Sequence, residues 1–275
     1  MKKILLALIG LSVVLVAALV LEMRDKPAPA PEPVTAPALT QGVGKAAAPA
    51  LVTVGALGAA AITGTVTFRG TPPPAPEKFS SAFPGCAKAM ADAPADPGLI
   101  LAKSGGVKNV FVWVRDGVPL GNYRAPADPV RLDQRACEYE PRVFGIRVGQ
   151  PLELANSDSM LHNVHAFHGA STVFNAALAN AGMSVTKKFD GAEVMSRITC
   201  DVHPWMRAYA GVMTHPFYSV SAADGSFAIK NLPGGTYTIS AWHERLGRVV
   251  QNVLVADGAS KAITLEFKSD ELPQK

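Results

Sequence analysis

Beyond residue 60 the apolar positions recur mainly with a period of two. Ile62-Thr63-Gly64-Thr65-Val66-Thr67-Phe68 alternates, the mark of a strand with one buried face, and Gly70-Thr71-Pro72-Pro73-Pro74 ends it. Val110-Phe111-Val112-Trp113-Val114 is apolar at every position and predicts a central strand covered on both sides. Phe144, Ile146 and Val148 alternate before Gly149-Gln150-Pro151 turns the chain into Leu152-Glu153-Leu154. Val185, Phe189, Ile198, Tyr209 and Met213 mark further short strands. Asp224-Gly225 is a hairpin dipeptide. After it Phe227 and Ile229 alternate, Leu232-Pro233-Gly234-Gly235 turns, and Tyr237, Ile239 and Ala241 alternate again. Val249 to Val255 and Ile263, Leu265, Phe267 complete the set. Short helical turns are expected only over Ala87–Ala95 and Phe174–Gly182. Turn signals about every 8–12 residues predict an all-β region of the sandwich type.

The first residues follow another pattern. Met1-Lys2-Lys3 precedes an uncharged apolar run from Ile4 to Leu21 that ends at Glu22, about the length that crosses a bilayer core of ~30 Å. The two lysines favour a cytoplasmic N-terminus and export of the remainder. Val16-Ala17-Ala18 offers a signal-peptidase site, but the apolar run continues past it. An uncleaved anchor is the preferred reading and a removed signal peptide the other; both export the chain. Lys26 to Pro49 is rich in proline and alanine, an extended and semi-rigid tether.

At 48% hydrophobic residues the chain can bury a core, and its net charge of +4 is mild. Basic residues are scattered, so no nucleic-acid partner is expected. Gly-rich phosphate loops, Gly-x-Ser-x-Gly and His-Glu-x-x-His are all missing, which argues against nucleotide and hydrolase chemistry. No enzymatic activity and no small-molecule substrate are expected.

The sharpest chemical signal is Cys200-Asp201-Val202-His203-Pro204-Trp205-Met206. It sets a thiol, an imidazole and a thioether three residues apart on a loop constrained by Pro204. One thiolate, two imidazoles and a weak thioether form the donor set of type 1 copper, so a second histidine is needed. Met160-Leu161-His162-Asn163-Val164-His165 offers it. His162, His165 and His168 cannot all face one metal from a straight strand, since alternate residues point to opposite faces; His162 is preferred. Asn163 can hydrogen-bond across to the cysteine loop and fix both ligand segments. Zinc is the competing metal, though it rarely accepts methionine, and haem attachment would need Cys-x-x-Cys-His. His215 and His243 are weaker candidates. The chain has three cysteines; if Cys200 is a ligand, Cys86 and Cys137 are left to pair in an oxidising compartment, the alternative being two buried thiols.

Tyr139-Glu140-Pro141, Val148-Gly149-Gln150-Pro151-Leu152, Asn156-Ser157-Asp158, His162-Asn163-Val164 and the loop through Met206 together resemble the cupredoxins. The short loop is most similar to that of the amicyanins. The resemblance spans Arg131 to His215. It implies a Greek-key β-sandwich holding one copper, with His162, Cys200 and His203 equatorial and Met206 axial. It also implies an exposed His203 ring edge through which electrons leave, inside an apolar docking patch of Leu161, Pro204 and Trp205. The expected partners are redox proteins such as c-type cytochromes or a copper-dependent oxidoreductase. The matching segment is short for a free-standing cupredoxin, so its first strands are expected from Val107–Val114 or Ile62–Phe68.

Gly225 to Tyr237 resembles the carboxypeptidase regulatory-like, transthyretin-type sandwich, whose opening Gly-x-Val strand would be Gly64-Thr65-Val66. That family's module is non-catalytic. The expected layout is an anchor or signal peptide at 1–22, a linker at 23–60 and an N-terminal β region at 61–130. A cupredoxin-like copper domain at 131–215, a small regulatory-like sandwich at 216–268 and a tail at 269–275 follow, with the copper segment inserted in the second sandwich or fused tightly to it. The function implied is one-electron transfer by a membrane-tethered protein in the periplasm or cell exterior. Copper handling, or a structural interaction module, are the alternatives.

Overall fold

A computed structural model of the protein describes residues 54–76, 84–86 and 97–271. The expected anchor, most of the linker and the helical turn at Ala87–Ala95 lie outside them. Among the described residues no helix is long and apolar enough to cross a membrane.

The described chain is all-β. Its strands are β1 (Ala60–Arg69), β2 (Phe111–Asp116), β3 (Val130–Arg135), β4 (Glu138–Glu140), β5 (Val143–Arg147) and β6 (Leu152–Asn156). They continue as β7 (His162–His168), β8 (Ser171–Leu178), β9 (Ser184–Lys187), β10 (Glu193–Thr199) and β11 (Arg207–Met213). The last are β12 (Tyr218–Val220), β13 (Ser226–Leu232), β14 (Gly235–His243), β15 (Gly247–Val255) and β16 (Ser260–Lys268).

These strands make two sandwiches. In the outer one, sheets of order β13-β1-β16 and β12-β2-β14-β15 share a core that includes Ile62, Val66, Val112, Val114, Ile229, Ile239 and Leu265. In the inner one, sheets of order β5-β11-β10-β7-β8 and β4-β3-β6-β9 share Leu132, Ile146, Leu154, Val164, Ile198 and Val212. The chain lays down β1 and β2, builds the whole inner sandwich from β3 to β11, then returns for β12 to β16.

This order corrects the expectation that Ile62–Phe68 or Val107–Val114 supplies first strands to the metal-bearing segment. β1 pairs with β13 and in parallel with β16, while β2 pairs with β12 and β14. The two-sided apolar character of β2 has a different cause. Val112 and Val114 face the outer core, whereas Phe111 and Trp113 join Val143 and Met213, flanked by Tyr209, Tyr218 and Trp242, in a seam between the sandwiches. Gly145 and Gly211 are paired in register across β5 and β11. A Cβ at Gly211 would lie 2.1 Å from the Phe111 ring, and one at Gly145 2.1 Å from the Tyr218 ring. Only bare backbone lets those rings lie flat on the inner sandwich. Arg142 and Glu244 cross the same seam as a two-pronged ion pair, with Nη2–Oε2 at 2.9 Å.

Phe174–Gly182, expected as a helical turn, begins instead as the edge strand β8, which pairs residue by residue with β7. Its exposure alternates toward the end, with Phe174 and Ala176 half-buried and Leu178 buried. That is a period of two hidden in sequence by small residues on both faces.

Cys86 and Cys137 form a disulfide. Closing a loop of 51 residues contributes about 4 kcal/mol in the chain-entropy model. His215 and His243 are both buried, and each uses its Nδ1 to accept a backbone amide, from Phe217 and Arg245 respectively. Burial, with nearby arginines assisting, holds His215 down to about 4 and His243 to about 3.

The unfolded chain therefore takes up protons below pH ~6.5 that the folded chain refuses, so stability is full above that value and drains away as pH falls toward 4. At pH 5 each histidine is expected to cost on the order of 2 kcal/mol relative to pH 7. Urea unfolding of wild type and His243→Asn across this range measures it. The variant keeps an acceptor for the Arg245 amide but cannot titrate, so its pH slope should be shallower by one histidine's share.

Candidate metal centre

β10 and β11 form a hairpin whose connecting loop is the Cys200–Met206 stretch. On β10, Ser196, Ile198 and the next alternate position, Cys200, are buried, the last two in the inner core. Met206, Ala208, Ala210 and Val212 continue the same core on the return strand. The period of two thus carries the thiol and the thioether inward at the loop's two ends. The Cys200 amide donates to the Met206 carbonyl (3.4 Å), and the Met206 amide to the His203 carbonyl (3.0 Å). These bonds close the loop into a compact turn with His203 inside it.

His162 begins β7 and shares its inward face with Val164 and Ala166. It is fully buried, at 0% exposed. Across the sandwich end, one ligating atom each from His162, Cys200 and His203 falls within 4.8 Å of the others. His162 Nδ1 is 2.8 Å from His203 Nδ1, and Cys200 Sγ is 3.7 Å from the same His203 nitrogen. Burial lowers both imidazoles from their ordinary range, with the His162 charge adding to the effect on His203. Neutral rings with available lone pairs are the form a metal needs.

Asn163 points to the opposite face of β7. Its Oδ1 accepts the Asp201 amide at 2.7 Å and the Cys200 thiol at 3.3 Å. Its Nδ2 donates to Asp201 Oδ2 and to Asn175 Oδ1, so the ligand strand and the ligand loop are tied through one side chain. Asn175, on β8, donates to Asp201 as well. The Tyr139 hydroxyl donates to the Asn163 carbonyl, and burial beside Cys200 and Asp201 drives that phenol far upward.

His165 turns away from the cluster. Its two ring nitrogens meet Asp201 Oδ1 (2.9 Å) and Thr172 Oγ1 (2.8 Å), as its odd offset from His162 requires. His168 lies beyond a register shift at Ala166/Phe167 and pairs with Glu193. His215 and His243 belong to the packing described above.

Two expectations are corrected. The His203 ring edge is covered: the residue is 3% exposed and packs against Trp205, ring centroids 5.1 Å apart. Trp205 is a half-buried brace, with its indole N–H donating to the Cys137 carbonyl at 3.0 Å. Leu161, at 45% exposed, and Val202, at 37%, are the outward apolar residues beside the site, and Pro204 is exposed on the loop.

Two polar residues at the site, Asp158 and Asn175, were not assigned a role by sequence reasoning. A carboxylate four residues before His162 is a usable signal for the first. The second was masked by the helical expectation over its segment.

No family model matches the chain, and no curated protein matches it. Solved structures similar to parts of it include a purple cupredoxin from Nitrosopumilus maritimus, 22% identical over 30% of this chain and 98% of that one, TM-score 0.27. A copper-containing nitrite reductase from Thermus scotoductus is 20% identical over 36% of this chain and 25% of that one, TM-score 0.29. A Cu(I) form of an amicyanin variant is 26% identical over 31% of this chain and 82% of that one, TM-score 0.25.

Proposed function

We propose that the protein is an exported, membrane-tethered type 1 copper protein that carries single electrons. The convergence of His162, Cys200 and His203 in one buried cluster carries this reading. Its donor types suit copper: a thiolate and two imidazoles, with the thioether of Met206 beside them in sequence and buried in the same core. Copper bound there supplies one-electron chemistry between its Cu(I) and Cu(II) states. Cys200 supplies the thiolate, His162 and His203 the two nitrogens, and Met206 a weak contact that tunes potential.

The residues around the cluster keep that geometry fixed. Asn163 pins the loop to β7, and the inner core excludes water on the other side. A rigid site that moves little between oxidation states favours electron transfer over metal delivery. Electrons would pass at the Leu161 face to redox partners such as c-type cytochromes or a copper-dependent oxidoreductase, through small and short-lived contacts. The tether would raise the local concentration of the protein near membrane-bound partners. The outer sandwich is proposed as a non-catalytic, regulatory-like module, and no enzymatic activity is assigned.

A copper titration of the full chain, followed in the visible, tests this. One copper per chain with an intense thiolate-to-copper band is the expected result. Tight but colourless binding would indicate copper handling instead, and no binding at all would overturn both.

A further inference from the structure

The side of His162 away from the cluster is as carefully held as the side that faces it. Asp158 lies in the connection between β6 and β7. Its Oδ1 accepts the Ala136 amide at 2.8 Å and its Oδ2 the Cys137 amide at 2.9 Å. The same Oδ2 is 3.0 Å from His162 Nε2. Ala136 and Cys137 both have left-handed backbone, φ 53° and 58°, a conformation that costs non-glycine residues on the order of 1 kcal/mol each. They are the two central residues of the β3–β4 hairpin, where both positions take positive φ, and the successive amides of such a turn can line an anion-binding concavity. Here the anion is Asp158.

Each anchor of this arrangement is itself fixed. Asp158 donates its own amide to Asn156 Oδ1 (2.9 Å), and Asn156 is buried, with its Nδ2 on the Met160 and Leu178 carbonyls. Cys137 is held by its disulfide to Cys86 and, through its carbonyl, by Trp205 of the cysteine loop. The β3–β4 turn therefore touches the cluster twice, once through Trp205 and once through Asp158.

We propose that Asp158 is a positioning residue of the metal centre: its carboxylate, cradled by the Ala136 and Cys137 amides, accepts a hydrogen bond from His162 Nε2–H and leaves the Nδ1 lone pair facing Cys200 and His203. This rests on the copper reading for its consequence, though not for the hydrogen bond itself. A carboxylate behind a ligating imidazole fixes its tautomer and orientation and makes it a stronger donor. It also places negative charge near the metal, which favours the more highly charged Cu(II).

The test compares full-length wild type, Asp158→Asn and Asp158→Leu. In metal-free protein, nitrogen NMR of the histidines should show His162 as the Nε2–H tautomer in wild type and as a mixture in the leucine variant. Asp158→Asn carries the test if the leucine variant does not fold, since it removes the charge and keeps the shape. In copper-loaded protein, Cu(II) affinity should fall about 10- to 100-fold. Cu(I) affinity should fall less, so the potential rises; a tenfold difference between the two corresponds to about 59 mV for a one-electron couple.

A residue that merely braced the loop would lower thermal stability without moving the tautomer or the potential. Unchanged tautomer populations in Asp158→Leu, or an unchanged potential in either variant that still binds copper, would overturn the proposal. Should wild type bind no copper, the proposed function fails, and the metal-free NMR alone then decides the role of Asp158.

Discussion

Replacing Cys200 by serine is expected to abolish the visible band of the copper-loaded protein while leaving the fold intact. The band is a thiolate-to-copper transition, and an alcohol oxygen cannot supply it. The fold should survive because serine is nearly isosteric and its hydroxyl can donate to Asn163 Oδ1, as the thiol does now at 3.3 Å. Cys200 is 2% exposed, so the exchange trades a little apolar burial for a satisfied polar group, a cost on the order of 1 kcal/mol. Absorption spectra and thermal unfolding of the two proteins separate the outcomes. A variant that keeps the band would remove Cys200 from the site.

Replacing Glu244 by alanine is expected to destabilise the protein by about 3–5 kcal/mol, the cost of leaving a buried charge without its partner. The Glu244 side chain is 7% exposed and that of Arg142 12%. Glu138, 3.6 Å from Arg142 Nη1 and about a third exposed, remains as a longer ion-pair partner and should hold the loss toward the lower end of that range. The pair's net contribution is a separate matter, because both charges were desolvated to make it. Arg142→Met combined with Glu244→Leu should lie much closer to wild type than either single change. Denaturant unfolding of the four proteins of the double-mutant cycle measures the coupling. A loss in the double variant equal to the sum of the two single losses would mean that the two side chains do not act as a pair.

Much of the centre was legible in the sequence because its information is local. Cys200, His203 and Met206 lie within one turn, and strand alternation separates His162 from His165 onto opposite faces. The Cys86–Cys137 pairing followed by subtraction once Cys200 had another role. What could not be read is what depends on distant partners. β2 is apolar on both faces whether it lies in a central sheet or, as here, between a core and a seam, so periodicity did not reveal which sandwich owned it. The turn that cradles Asp158 needs two left-handed residues, yet it contains alanine and cysteine rather than glycine, and nothing local announces it. The His203 edge is covered by Trp205 because Cys137, more than sixty residues earlier, accepts the indole proton (separation 68).

The nesting of one sandwich inside the other also bears on how the chain reaches its native state. β2 and β12 are hydrogen-bonded neighbours, with Trp113 opposite Tyr218, although the whole inner sandwich lies between them in sequence. Pairing them first would mean closing a disordered loop of about 100 residues, and that entropy must be spent before any contact rewards it. Once β3 to β11 have collapsed into their own body, Arg147 on β5 can hold the chain that enters it and the chain that leaves it, through the Tyr123 and Thr214 carbonyls, and the same pairing closes a much shorter gap. The inner sandwich is thus expected to be the template on which the outer one is completed, with the candidate metal centre assembled early, in the part of the molecule on which the rest waits.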